Sequence, residues 1–390
     1  MTQVVEKQVL AKVAAAQTEM WQFIEKIVNT DSGYDCPEGV AQVARMIGGV
    51  LEPLGFTVEY HESKGPVQLV ATRPRPGKPS VLLMGHMDTV FAKGAAAERP
   101  FKIVDGLAYG PGVIDMKSGI GISVFTVKAL LESGFDDADI TFLFAGDEEI
   151  NHPDSDAVAQ FKKYGRGKTA VFNMEPGRED GSVVYGRKGL WRPIVEVTGI
   201  AAHSGNHHDK GASAVLELAH KTIDMFNITD YPSGTTCNVG VFQGGTLPNI
   251  MADKAIGKLD VRFKTLDQAA QAKEKIYAIC KHDYDTRTST KIIDRGAADY
   301  MPPFEVTDGG MQLFHSLQKL AAQLGQAPLT GQYVGGSSDA CYTTMVGAPT
   351  VCGMGPQADG PHTPTEHGWV ASYLPRCQLL AMALLHLREL

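Results

Sequence analysis

Several residues able to bind metal or move protons stand where apolar runs stop. VLLMGHMDTV delivers His86 and Asp88, ITFLFAGDEE delivers Glu148 and Glu149, TAVFNMEPG delivers Glu175, and APTVCGMGPQADGPH leads to His362. Asp115 lies in YGPGVIDMKSG, where Gly110, Pro111 and Gly112 force a turn just before a helical stretch. Ligands in open α/β sheets gather outside the carboxyl ends of the strands, so these groups can converge on one place. Imidazole together with carboxylates suits Zn²⁺ and tolerates Co²⁺ or Mn²⁺. This many carboxylates favours two cations over one. A pair roughly 3.5–4 Å apart needs a shared carboxylate and clamps a water that then ionises readily, and Asp115 is the natural bridge. Glu148 and Glu149, read as extended backbone, aim to opposite faces, so that one can bind metal while the other handles protons. A histidine at a strand end is usually structural and an Asp-Glu-Glu run is usually a solvated turn. The recurrence of such groups at one strand end after another is what points to chemistry.

The elements that must carry them alternate. VQLVATR, SVLLMGH, ITFLFAG and TAVFNM read as strands, and SGIGISVFTVKALLES as a helix, which implies an α/β domain with a largely parallel, mixed sheet flanked by helices. From about residue 180 the pattern changes. LWRPIVEVTG, a helix near 211–227, the strands TTCNVGVFQGG and KAIGKLDVRF, a helix near 267–282 and KIIDR spell out strand, helix, two strands, helix, strand. That order describes an inserted α+β domain of ferredoxin-like type. Helices near 308–324 and 372–388 with the run APTVCGMG then return to the first style, so that the first domain is discontinuous, 1–179 with 298–390 around an insert of 180–297.

A length of 390 residues exceeds the usual limit for one core and fits two domains. The net charge of −8 and pI near 5.8 argue against nucleic acid or an anionic membrane as partner. The opening MTQVVEKQVLAKVAAAQTEM mixes Glu and Lys into a helical apolar period and lacks the apolar core of a signal peptide. The longest apolar candidate, GIGISVFTVKALLES, is cut by Lys128, which leaves no membrane span. Cys36, Cys237, Cys280, Cys341, Cys352 and Cys377 are far apart and without CxxC spacing, as expected of reduced core residues in the cytoplasm. No G-x-S-x-G elbow, GxxxxGK[ST] loop or HExxH helix is present, which weakens serine-nucleophile and nucleotide readings.

On GHMDTV, GPGVIDMKSG, GDEE, TAVFNMEPG and PHTPTEHGWV, in that order along the chain, the sequence resembles the dizinc aminoacylase and glutamate carboxypeptidase family, which includes acetylornithine deacetylase, succinyl-diaminopimelate desuccinylase and peptidase T. The resemblance covers both domains and implies a zinc-dependent hydrolase that releases an amino acid from a small peptide or N-acyl-amino acid. It makes His86 a ligand of one zinc with Asp88 orienting it, Asp115 the bridge, Glu148 the general base and acid, Glu149 a ligand of the second zinc and Glu175 a ligand beside His86. His362, in preference to His367, is the remaining ligand. It further implies that the inserted domain is a lid and a homodimer interface, with His203 of AAHSG reaching the partner subunit's site to hold an oxyanion. Asn249 and Arg262 match substrate-binding positions of the lid, and Gly336 and Ser337 of GGSSDA line the substrate's path. One departure concerns specificity. Carboxypeptidases of the family carry an Arg before Pro-x-Phe, whereas this chain has Met301 before Pro302, Pro303 and Phe304, leaving Arg187 or Arg295 as candidate receptors for a substrate carboxylate. N-acyl-amino-acid deacylation is the alternative activity. A metal-binding protein without catalysis is the alternative class, and the presence of Asp88, Glu148 and His203 argues against it.

Overall fold

A computed structural model describes residues 3–62 and 65–390, so the first two residues of the N-terminal helical reading lie outside the described residues. The chain divides into two compact units. One runs to Gly186 and adds Val306–Val334 and Ser338–Leu390, and the other comprises Arg187–Glu305 with Gly335–Ser337. These boundaries move those expected at 179/180 and 297/298. Val183–Arg187 pairs with Gly331–Val334, which keeps the chain in the first unit as far as Gly186. At the return, Tyr300–Met301 pairs with Gly189–Trp191, and Arg187 and Phe304 exchange backbone hydrogen bonds of 3.0 and 3.1 Å, which hold 298–305 in the second unit.

The first unit is built on a six-stranded mixed sheet in the order Thr57–His61, Gln68–Arg73, Asp139–Ala145, Ser80–His86, Ala170–Asn173, Thr350–Val351. The last four are mutually parallel, and the first two join antiparallel at one edge. Ser80–His86 and Asp139–Ala145 are buried along nearly their whole length, because helices cover both faces and continuous apolar runs, not alternating ones, satisfy such strands. Ser118–Glu132 and Tyr373–Leu385 bury most of their residues and share one core with the sheet. A small sheet unforeseen from the sequence, Ala358–Asp359, His367–Trp369, Leu107–Tyr109 and Lys102–Val104, stands beside it. Its strands are two or three residues long, too short for any periodicity to register.

The second unit has its own core around Trp191, Val195, Leu218, Val261 and Ile276. Ser289–Ile293, Ile194–Thr198, Lys254–Phe263 and Thr236–Gly244 lie side by side in that order, with helices Ala214–Phe226 and Leu266–Lys281 in the connections. LWRPIVEVTG, read as one strand, is two, Gly189–Trp191 and Ile194–Thr198. Pro193 has no N–H to continue a ladder, and its carbonyl accepts instead from Leu259 N–H at 3.0 Å. All six cysteines are buried and none forms a disulfide, and among the described residues no helix is long and apolar enough to cross a membrane.

Candidate metal centre

The carboxyl ends of the parallel strands and two loops of the small sheet supply the centre, which lies wholly within the first unit. His86 closes its strand and is buried. Its Nε2 lies 3.1 Å from Asp115 Oδ1 and 3.7 Å from Glu175 Oε1. Its Nδ1 faces the backbone carbonyl of Asp88 at 3.0 Å, nearer than the Asp88 carboxylate at 3.4 Å. Asp88 therefore orients the ring mainly through its main chain. Its carboxylate has a second task, accepting the N–H groups of Glu148 at 3.1 Å and Glu149 at 3.0 Å. One aspartate thus fixes both the histidine and the two glutamates.

The extended reading of those glutamates is corrected. The strand stops at Ala145, and Glu148–Ile150 form a 3₁₀ turn, around which successive side chains diverge by about 120°. Asp115 follows the Gly110–Gly112 turn at the exit of Leu107–Tyr109, while His362 sits in the loop between Ala358–Asp359 and His367–Trp369. Leu107–Tyr109 and His367–Trp369 are paired, so the small sheet ties the two loops together. His362 takes a left-handed backbone, φ 65°, and places Nε2 3.1 Å from Asp115 Oδ2 and 3.3 Å from Glu149 Oε2. His367 instead belongs to its strand, with its ring against Tyr109 and Trp369. Asp115 thus offers one oxygen to each of two histidines, the geometry of a bridge. Ligand atoms of His86, Asp115 and Glu149 lie within 4.8 Å of one another.

A divalent cation fits this donor set on the strength of one atom in particular. Glu149 Oε1 is buried and has no hydrogen-bond partner, a costly state for a carboxylate oxygen without a cation to meet. Burial, reinforced by the charge on Asp115, pushes the Glu149 carboxyl up to about 10. Burial also drives Glu148 well above the carboxylate range, helped by Asp339, Glu175 and Asp88. Asp115 is buried too, yet the hydrogen bonds from His362 and His86 hold it below its usual value. Without metal the centre retains protons that a cation would displace.

The remaining candidates lie in the second unit or at its margin. His203 and Asn249 are exposed neighbours, with His203 bridged to Ile250 and Ser204 N–H donating to the Asn249 carbonyl at 3.0 Å. Arg262 forms a bidentate pair with Asp260, 2.6 and 3.0 Å, and also donates to the Gly335 carbonyl at 3.3 Å. Gly336 and Ser337 group with this unit because the Arg187 guanidinium donates to both of their carbonyls, at 3.3 and 3.4 Å. Met301 is buried and offers nothing to an anion, while Arg295 is engaged with Asp299 at 2.5 Å. Two groups of the first unit went unnoticed in the sequence. Buried Glu366 accepts from Val113 N–H at 2.9 Å and so braces the Asp115 loop, and its four-residue distance from His362 was the available signal. Buried His152 stands three residues past Glu149.

The Peptidase family M20/M25/M40 model matches residues 82–386, most of the chain, with His86, Asp115, Glu148, Glu149, Glu175 and His362 all inside the match. The chain belongs to this family. It is 30% identical over 385 residues to carboxypeptidase G2 of Pseudomonas sp. (strain RS-16), covering 95% of this chain and 89% of that protein. It is also 30% identical to succinyl-diaminopimelate desuccinylase of Dechloromonas aromatica, over 60% of this chain and 66% of that enzyme. Among solved structures, aminopeptidase PepT from Bacillus cereus superposes with a TM-score of 0.78 at 21% identity, covering 95% of this chain and 99% of that one. The metallo-carboxypeptidase Sso-CP2 from Sulfolobus solfataricus gives 0.73 at 17%, covering 95% and 100%. The chain is accordingly an M20-family, carboxypeptidase-like hydrolase of amide bonds with an α/β fold and a candidate metal site of the kind this family uses.

Proposed function

We propose that this M20 hydrolase binds two zinc ions and releases an amino acid from a small N-acylated or peptidic substrate. The observation that carries this reading is Asp115, whose two oxygens face His86 and His362 separately, with Glu149 presenting an unpartnered oxygen alongside. His86, Asp115 and Glu175 would hold one ion, and Asp115, Glu149 and His362 the other, with Co²⁺ or Mn²⁺ able to substitute. Two bound cations would supply a water of lowered pKa and polarise the scissile carbonyl.

The chain's own groups do the rest. Glu148, whose carboxyl burial raises well above its ordinary range, takes a proton from the attacking water and returns it to the leaving amine. Asp88 keeps that carboxyl in place through the Glu148 N–H. His203 supplies the oxyanion contact, working in the active site of a partner subunit, and Asn249, Arg262, Gly336 and Ser337 bind the substrate. The second unit serves as lid and dimer interface. Support for the dimer comes from Thr236–Gly244, whose outer edge pairs with no strand among the described residues, and from Leu216, Ile223 and Phe226, about 60% exposed on one helix. The buried cysteines, none of them in a disulfide, agree with a reducing, cytoplasmic setting.

Buried Met301, where carboxypeptidases of the family carry an arginine, removes the expected receptor for glutamate and favours a second reading for the substrate, deacylation of N-acyl-amino acids other than acyl-glutamates. Zinc-loaded protein assayed for free amino acid against N-acyl-glutamates, other N-acyl-amino acids and dipeptides separates the two. Release confined to acyl-glutamates supports the carboxypeptidase reading. Release across other acyl-amino acids supports the deacylase, and no release from any of them refutes both.

A further inference from the structure

Behind the Glu148–Glu149 turn lies a buried group that the reaction above does not use. The His152 ring is held between two carboxylates, with Nδ1 2.7 Å from Asp147 Oδ1 and Nε2 2.7 Å from Asp339 Oδ1. All three side chains are at most 2% exposed. Carboxylate oxygens only accept, so a ring donating to both carries two N–H groups and a positive charge. Burial opposes that charge, yet Asp339 and Asp147 outweigh it and hold the ring well above its ordinary pKa.

The two carboxylates come from opposite sides. Asp147 immediately precedes Glu148 and also accepts from Gln68 Nε2 and Ser155 Oγ, both at 3.1 Å. Asp339 immediately precedes the short helix Ala340–Thr344, and its charge is among those that raise Glu148. Reaching both takes an unusual backbone. Asn151 and His152 are consecutive non-glycine residues in the left-handed region, φ 61° and 53°, a backbone that side-chain-bearing residues adopt uncommonly. His152 N–H closes the turn on the Asp147 carbonyl at 3.1 Å, and Asn151 N–H closes it on that of Glu148 at 2.9 Å. Phe161 and Tyr342 flank the ring, with centroids 6.1 Å away. A solvated loop has no reason to adopt this conformation. A turn that must present Glu148 and Glu149 at fixed angles does.

We infer that His152 is a positioning residue, clamping the Asp147–Glu149 turn to Asp339 so that Glu149 meets its cation and Glu148 its water in fixed orientation. This rests on the two-metal reading. Supporting groups of this kind typically alter metal affinity about 10–100-fold. The test is zinc affinity by chelator competition, with Zn²⁺ alone as probe, in the full chain and in His152→Ala, His152→Asn, Asp339→Asn and the double variant His152→Ala/Asp339→Asn. His152→Ala should bind one zinc about 10–100-fold more weakly. His152→Asn, which keeps a donor within reach of Asp147, should recover part of that loss, and the double variant should be no weaker than His152→Ala. Asp339→Asn tests the clamp even if the alanine variant does not fold, and should show a loss of its own. Two zincs bound by the variants as tightly as by the unaltered chain would overturn the clamp alone. No zinc bound by the unaltered chain would overturn the two-metal reading and the clamp with it.

Discussion

Glu148 and Glu149 are adjacent, hang from the same aspartate and face different tasks, which makes them the most informative pair to change. Glu148→Gln should keep both metals and lose turnover about 10²–10⁴-fold, the usual worth of a positioned proton acceptor, measured as kcat on fully loaded protein. Glu149 gives a pH dependence. Its carboxyl rises from about 4.5 to about 10 in the folded, metal-free chain, so over that window the folded state holds a proton the unfolded state has lost. That stabilisation is complete below pH 4.5 and fades as pH approaches 10, so metal-free protein should lose stability with rising pH while zinc affinity grows. Thermal melts with and without zinc from pH 6 to 9 check it, and the stabilisation by zinc should widen toward pH 9. At this scale the residues that converge on the candidate site were legible because a strand end followed by His or Glu leaves a trace in a linear pattern. Glu366 left only its spacing from His362, and His152 left none. Their importance comes from what the fold brings opposite them, Val113 N–H for one and Asp339, far along the chain, for the other.

Helix Ser118–Glu132 positions Asp115 by starting directly behind it, and it can lie that close to the sheet only because residue 119 is glycine. A Cβ on Gly119 would stand 1.8 Å from the Met174 carbonyl, which belongs to the backbone that carries Glu175. Gly119→Ala should therefore cost about 1–3 kcal/mol by overpacking and spread the distance between Asp115 and Glu175. Lower denaturant midpoints and weakened zinc binding together are expected; a loss of stability with intact zinc affinity would separate the helix from the site. The main helices and strands were legible from periodicity and apolar runs, with Lys254–Phe263 falling where its pattern placed it. The small sheet pairing Leu107–Tyr109 with His367–Trp369 was not, since three-residue strands show no period and their pairing spans most of the chain.

Over the whole molecule, the insertion of one unit into another was legible as a change of pattern near residue 180, while the boundaries depended on pairings that no local pattern encodes, such as Arg187 with Phe304. The proposed dimer makes its prediction here. Light scattering should give twice the chain mass of 41.9 kDa, and Ile223→Asp with Phe226→Asp should give the monomer. If His203 serves the partner's site, that monomer keeps its zinc and loses turnover, whereas a fully active monomer would refute the shared site. The claim on which everything else depends is the two-metal centre with Glu148 as its proton carrier. Its most direct test is zinc per chain by plasma mass spectrometry on the unaltered protein and on Glu148→Gln, each assayed for released amino acid. The expected result is about two zincs in both and turnover only in the first. One zinc or none in the unaltered chain, or full turnover by the loaded Glu148→Gln protein, would contradict it.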